Sequence, residues 1–256
     1  MKRADELRDA VEAYLGSLAF APELGRLEKT LRYALDSGGK RVRPVLCLAV
    51  AEAAGGEVEP ALPAAAAIEL VHTFSLVHDD LPALDDDDER RGRPSAHVAH
   101  GEGVALLAGD ALLVEAFRLA VSYDDPRIAR ELADATLGMI GGQPRDITGD
   151  DGDLDEVERL KTGRLFVAAV ALGLLAARAH DADRERWLAF GEDLGLLFQV
   201  VDDILDGDGF AARLGEDAAR DLADQAAAEA QSALADLSAD TSVLFDLVGS
   251  LVVRTA

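Results

Sequence analysis

The sequence predicts an all-α protein, and three observations predict it. Ala and Leu are the commonest of the 256 residues, with Arg and Glu also present in number, and such small and straight-chain side chains favour helices. Aromatic residues are 5% of the chain, and alternating β-branched runs are nearly absent. Apolar positions recur at helical spacing, as in Leu7, Val11, Leu15 and Leu18, and again in Leu154, Val157, Leu160 and Leu165.

That spacing predicts helices over 3–18, 22–36, 43–55, 60–80, 102–122, 126–141, 153–178, 181–206, 210–236 and 241–253. The first carries the Leu7–Leu18 stripe. The third opens on Pro44, which suits a first helical turn, and stops at Gly55-Gly56. The fourth ends before Pro82, and the sixth stops at Gly141-Gly142. The seventh contains Phe166-Val167-Ala168-Ala169-Val170-Ala171-Leu172-Gly173-Leu174-Leu175. A helix apolar all round belongs in the middle of a bundle. The ninth is Ala-rich after Gly207-Asp208-Gly209-Phe210, and the remaining spans rest on the same periodicity. No Gly/Ser/Pro linker and no fixed-period repeat divides the chain, so residues 1–256 read as one domain, a single large helical bundle around a central apolar cavity.

Composition excludes several functions. A net charge of −24 repels nucleic-acid phosphates and anionic lipid. Cys47 is the single cysteine, so neither an intrachain disulfide nor a cysteine zinc cluster can form. The start, Met1-Lys2-Arg3-Ala4-Asp5-Glu6, leads into no long apolar run. No uninterrupted apolar segment reaches the ~20 residues of a membrane span. A soluble, cytoplasmic protein is expected.

Charge then appears where a bundle should exclude it. The first breach runs from Leu76-Val77-His78-Asp79-Asp80 through Leu81-Pro82-Ala83-Leu84 to Asp85-Asp86-Asp87-Asp88. The second is Phe198-Gln199-Val200-Val201-Asp202-Asp203-Ile204-Leu205-Asp206. Asp202 and Asp206 are four apart and share a helix face, with Gln199 on the same stripe. Like charges so spaced destabilise a helix unless a cation lies between them. Pro82 forces a turn that lets Asp85 reach back toward Asp79. Asp86, Asp87 and Asp88 read as a solvated run. Carboxylates without histidine or thiolate ligands suit hard cations, and Mg2+ is usually held by a few carboxylates plus substrate phosphates. Two such clusters facing one cavity would clamp a diphosphate through Mg2+.

The basic residues sharpen this reading. Lys40 and Arg43 sit in Gly38-Gly39-Lys40-Arg41-Val42-Arg43-Pro44, a glycine turn opening a helix, where backbone N–H groups already favour an anion. Lys161 and Thr162 interrupt an apolar stretch, and Arg90-Arg91 follow the first acidic cluster. Together they form the cationic set that two diphosphates in one cavity require.

In this order the segments resemble the trans-isoprenyl diphosphate synthases, the polyprenyl synthetase family, and among them the bacterial farnesyl diphosphate synthases. The turn at 38–44 resembles the isopentenyl diphosphate motif. Asp79-Asp80 through Asp85, with Arg90-Arg91-Gly92, resembles the first aspartate-rich motif in its bacterial form. Gly141-Gly142-Gln143, Lys161-Thr162 and 198–206 match further blocks, so the resemblance spans about 25–206. It implies an isoprenoid-synthase bundle, a homodimer and three Mg2+ per site. Asp79, Asp85 and Asp202 would ligate metal, with Asp80, Asp203 and Asp206 close by. Arg90, Lys161 and Gln199 would hold the allylic diphosphate; Lys40, Arg43, His72 and Arg91 would hold isopentenyl diphosphate. Thr162 and Gln199 would steady the cation left when the allylic diphosphate ionises, before the isopentenyl double bond attacks and a proton is lost.

Phe74 stands five residues before Asp79, about 7.5 Å along a helix, with Ser75 beside it. The family's farnesyl makers place a bulky ring there, so a C15 product is expected, with geranylgeranyl diphosphate as the alternative. One departure is that no lysine occurs beyond Lys161, where the family has a further diphosphate contact; Arg213 or Arg220 would have to replace it. That keeps a non-catalytic partner subunit as a second reading. A terpene cyclase is a third, disfavoured because it needs no pocket like that of Lys40 and Arg43.

Overall fold

The computed structural model describes residues 1–36, 38–148 and 163–253. Its first helix, α1 (Ala4–Ser17), buries Leu7, Val11 and Leu15, the stripe that its sequence predicts. A 3-10 turn (Pro22–Leu27), kinked at Gly25, leads into α2 (Glu28–Leu35). Next come α3 (Val42–Ala53) and α4 (Val58–Asp79). A two-stranded hairpin follows, β1 (Glu89–Arg90) against β2 (Arg93–Pro94), with positive φ at both Arg91 and Gly92. Such a turn matches the twist of a tight hairpin. Beyond it lie α5 (Ala96–His100), α6 (Glu102–Ala120) and α7 (Pro126–Thr148). Among the described residues the remaining α-helices are α8 (Arg164–Ala176), α9 (Arg184–Asp206), α10 (Gly209–Leu214), α11 (Glu216–Ala235) and α12 (Ser242–Val252).

Helices apolar on most faces occupy the centre. α4 packs against α6, α3 and α8, and α8 packs against α3, α7 and α9. One continuous core runs through these helices, from Leu7 through Leu46, Ile68, Phe166 and Phe190 to Leu244. By length and composition α4 would suit a membrane crossing, yet 67% of its most apolar window is buried by its neighbours. It is the core helix of a bundle.

Among the described residues the predicted helices stand with four differences, the first being that 22–36 opens as a 3-10 turn kinked at Gly25 and turns α-helical only from Glu28. Gly141-Gly142 do not end α7, which continues to Thr148; a glycine weakens a helix by about 1 kcal/mol without terminating it. The 210–236 span is two helices, because Gly215 at φ 87° and ψ 152° breaks it. The hairpin and α5 lie in a segment where no element is predicted. Of the 153–178 span the structure describes the part from Gly163 on; Leu154–Leu160, Lys161 and Thr162 lie outside the described residues.

Candidate active site

Two helices end in paired aspartates. α4 finishes at Asp79 with Asp80 as its cap, and α9 carries Asp202, Asp203 and Asp206 in its last turn. A helix C-terminus carries about half a negative charge, so both clusters add anion to anion. After α4 the chain reverses as Pro82 requires, and the Asp85 amide donates to the Asp79 carbonyl at 2.9 Å. The Asp85 and Asp206 side chains are exposed, as are Asp86, Asp87 and Asp88.

In each pair the first aspartate is half-buried and the second is buried and bonded. Asp79 accepts from Gln143 Nε2 at 2.8 Å. Asp80, only 3% exposed, accepts from Arg90 Nε at 2.9 Å and from Nη2. Burial raises the Asp80 carboxyl above its ordinary range, and Arg90 only partly offsets this. Asp203, 4% exposed, accepts from Gln199 Nε2 at 2.7 Å and from the Phe210 amide at 2.8 Å. Its pKa too is raised by burial against those two donors. Gly209 closes on this carboxylate so tightly that a Cβ would lie 2.2 Å from Asp203 Oδ2.

The opposite charge comes from the 38–44 turn. Gly38 takes φ 77°, a conformation that favours glycine, and Gly39 lies against the Arg91 guanidinium of the hairpin. Arg41, left-handed at φ 53° and ψ 33°, caps α3. Arg43 is 8% exposed, stacked over Phe166 at 4.7 Å and Phe198 at 5.4 Å. Its Nη1 lies 3.4 Å from His72 Nε2, and among the described residues its Nε has no partner. Burial lowers the Arg43 pKa to about 10; at neutral pH it is still a cation. Burial, then Arg43 and Arg91, hold His72 well below its usual pKa and so uncharged.

These groups line two cavities. A polar cavity of about 420 Å³ is walled by the 38–43 turn, Glu69, His72, Arg91, Phe198 and Asp202. An apolar one of about 260 Å³ runs beneath Asp79, past Phe74, Ser75, His78, Met139, Ile140 and Leu165. Arg43 and His72 belong to both walls. The Phe74 ring is buried and packs edge-on against His78 at 4.9 Å.

Lys40, Arg43, His72, Arg91 and Asp202 are thus brought together, as are Phe74, Ser75 and Asp79. Gln199 turns to Asp203, its i+4 neighbour. Arg90 is engaged with Asp80 and Asp87. Arg220 pairs with Glu216 at 2.8 Å, and exposed Arg213 lies over the Phe210 ring. Sequence reasoning missed Glu69 and the Asp79 bond of Gln143. Glu69 had a signal, a lone carboxylate amid Ala64–Val71. Among the described residues no three His, Cys, Asp or Glu side chains gather closely enough to hold a metal by themselves. An all-carboxylate set completed by substrate phosphates is still the chemistry that Mg2+ takes.

Comparison with known proteins agrees with this geometry. The family model described as Polyprenyl synthetase matches residues 25–240. Geranylgeranyl diphosphate synthase of Cyanophora paradoxa is 42% identical over 77% of this chain and 71% of its own length. Farnesyl diphosphate synthase of Geobacillus stearothermophilus is 41% identical over 83% of this chain and 77% of its own. The chain spans 56–66% of four geranylgeranyl pyrophosphate synthases, two of them heterodimer large subunits, of Arabidopsis thaliana. The apo crystal structure of an FPP/GFPP synthase from Zymomonas mobilis superposes with a TM-score of 0.83 at 31% identity, covering 99% of this chain and all of that one.

Proposed function

The chain belongs to the polyprenyl synthetase family, and from that premise we propose that it is a prenyltransferase joining isopentenyl diphosphate to an allylic diphosphate. The observation that carries this reading is the shared wall. Arg43 and neutral His72 separate a cationic cavity suited to one diphosphate from an apolar cavity suited to a growing hydrocarbon. In the proposal, isopentenyl diphosphate sits against Lys40, Arg43, His72 and Arg91, with its double bond toward the apolar side. The allylic tail lies beside Phe74, and its diphosphate lies between the two acidic helix ends, where Arg90, Lys161 and Gln199 would reach it. Asp79, Asp85 and Asp202, helped by Asp80, Asp203 and Asp206, would hold Mg2+, three ions per site. Bound Mg2+ supplies positive charge to the departing diphosphate.

The residues of the chain do the remainder. The apolar wall excludes water from the allylic cation, and the dipoles of Thr162 and Gln199 steady it. Lys40 and Arg43 fix the isopentenyl diphosphate so that its double bond faces the allylic carbon. A proton then leaves the condensed product for the released diphosphate. Phe74 closes the apolar cavity beneath Asp79, which favours farnesyl diphosphate. Geranylgeranyl diphosphate is the second reading, favoured by the names of several relatives. The exposed stripe of Leu107 and Val114 on α6, continued by Val121 at its cap and between 55% and 65% exposed, suits a second copy of the chain. The whole would work as a soluble cytoplasmic homodimer.

The test is direct. Purified protein with Mg2+, labelled isopentenyl diphosphate and allylic primers should give C15 product, and Phe74→Ala should lengthen it. Absence of turnover with every primer would favour the partner-subunit reading. Cyclic hydrocarbon from farnesyl diphosphate alone would favour a cyclase.

A further inference from the structure

Between Lys40 and Arg43 stands a residue with a different job. Arg41 is 4% exposed, whereas Lys40 beside it is exposed. Its guanidinium donates to Glu12 Oε1 of α1 at 2.8 Å, to Glu69 Oε1 of α4 at 2.5 Å, and to the Leu35 carbonyl at the end of α2. One side chain therefore ties the 38–44 turn to three helices. Its backbone is held at φ 53°, a conformation that residues with a Cβ rarely adopt. That left-handed step is what lets the turn enter α3 with Lys40 before it and Arg43 just inside.

Glu69 gives the tether a second consequence. Its side chain is 3% exposed, one turn before His72, and lines the same cavity as Lys40, Arg43 and Arg91. A carboxylate there repels any anion entering the cavity unless a cation is bound to it. Arg41 is the cation bonded to it, with Arg43 and Arg91 offsetting its charge less strongly; burial opposes the charge of Arg41 itself, and Glu69 and Glu12 more than restore it.

We infer that Arg41 and Glu69 are a positioning pair for isopentenyl diphosphate: Arg41 fixes the turn that presents Lys40 and Arg43, and withholds the Glu69 charge from the incoming diphosphate. This rests on the reading that the polar cavity takes isopentenyl diphosphate. Arg41 need not touch the substrate.

The experiment compares Arg41→Met, Arg41→Met with Glu69→Gln, Arg41→Lys and the milder Glu12→Gln with the unaltered protein. It reads KM for isopentenyl diphosphate and for the allylic primer separately, together with calorimetric affinity for isopentenyl diphosphate. Arg41→Met should raise the isopentenyl KM about tenfold or more and leave the allylic KM within about twofold, since it frees the turn and removes the bonded partner of a carboxylate in one substrate's cavity only. Adding Glu69→Gln should recover the part of that loss that the Glu69 charge causes and leave the part that the lost tether causes, whereas a merely structural defect would deepen. Glu12→Gln should raise the isopentenyl KM about two- to threefold. Equal rises in both KM values, or a double variant worse than the single, would overturn the inference. Should Arg41→Met not fold, Arg41→Lys and Glu12→Gln decide it, and an unchanged KM ratio in both overturns it. If the unaltered protein turns over no primer, the prenyltransferase reading fails. The calorimetric comparison then still decides the positioning role.

Discussion

At the end of α4, Asp80 is held by Arg90, a cation delivered across the turn by the hairpin; at the end of α9, Asp203 is held by Gln199 of its own helix and by the Phe210 amide. The neighbouring Asp79 and Asp202 are half-buried and line the two cavities. Both ends thus divide their pair into one aspartate facing a cavity and one anchoring the local backbone. They differ in the charge of the anchor. A guanidinium neutralises its partner and can be drawn away by an arriving anion. An amide and a backbone N–H satisfy a carboxylate without neutralising it, and the Phe210 N–H is fixed by the fold. The anchor of the α4 end is the one that an anion could displace, and that of the α9 end, being partly backbone, is the more rigid.

The comparison is broken most readily at the cavity-facing members. Asp79→Asn and Asp202→Asn should each lower kcat/KM about 10²–10³-fold, the loss typical of removing one transition-state charge contact, with melting temperatures nearly unchanged. If Asp80→Asn and Asp203→Asn fall equally far in activity and are equally stable, the division of labour is wrong and all four act alike.

Next in size is the rigid anchor. Asp203→Ala leaves the Phe210 amide and Gln199 without their acceptor, costing about 2 kcal/mol. For a chain of this size that lowers the melting temperature by about 4–8 °C. Calorimetry on Asp203→Ala and Asp80→Ala would show whether the α9 anchor is the more structural of the two.

The adaptable anchor has a pH signature. Arg90→Met strands the buried Asp80 carboxylate, and the loss should be about 1–3 kcal/mol near neutrality, moderated because Arg90 is partly exposed. The folded Asp80 pKa is already raised, so the folded state binds its proton more readily than the unfolded state. Its charged form therefore penalises folding increasingly as pH rises from the ordinary aspartate value through the folded pKa, and the penalty vanishes below the ordinary value. The defect of Arg90→Met should accordingly shrink toward pH 3–4. A defect that is constant with pH would mean that the hairpin, rather than the charge, was lost.

Most of this architecture could be read in the residues, and the exceptions share a cause. The apolar periodicity of α1, α3 and α9 is local and survives packing, so their ends fall within a few residues of expectation. Gly141-Gly142 and Gly215 were indistinguishable on sequence: the first pair stays helical inside α7, while Gly215 adopts positive φ, and only the path of the chain decides between them. Asp79 and Asp202 stood out because greasy sequence surrounds them. The Asp80–Arg90 pair depends on how the 81–88 turn closes, and Gln199 chooses Asp203 over Asp202 by a helical rotation that spacing alone leaves open. Arg41 was hidden between two more conspicuous cations, and its partners Glu12 and Glu69 lie on other helices.

A third carboxylate on α9 shows what the anchored ones avoid. Asp193 faces α11 half-buried, and among the described residues no hydrogen-bond donor reaches it. Burial first, then Glu229 and Glu192, raises its pKa from 3.8 to about 6. Between those values the folded state holds a proton that the unfolded state has lost, so stability falls as pH climbs through that window and stays lower above it. The shift corresponds to about 3 kcal/mol at full burial, and solvent access reduces this to about 1–2 kcal/mol. Asp193→Asn should therefore stabilise the protein by that amount at pH 7 and flatten the stability curve between pH 4 and 6, as followed by chemical denaturation. An unchanged slope would mean that an α9 carboxylate without a donor is tolerated, and that Gln199 and the Phe210 amide serve Asp203 by orienting it rather than by stabilising it.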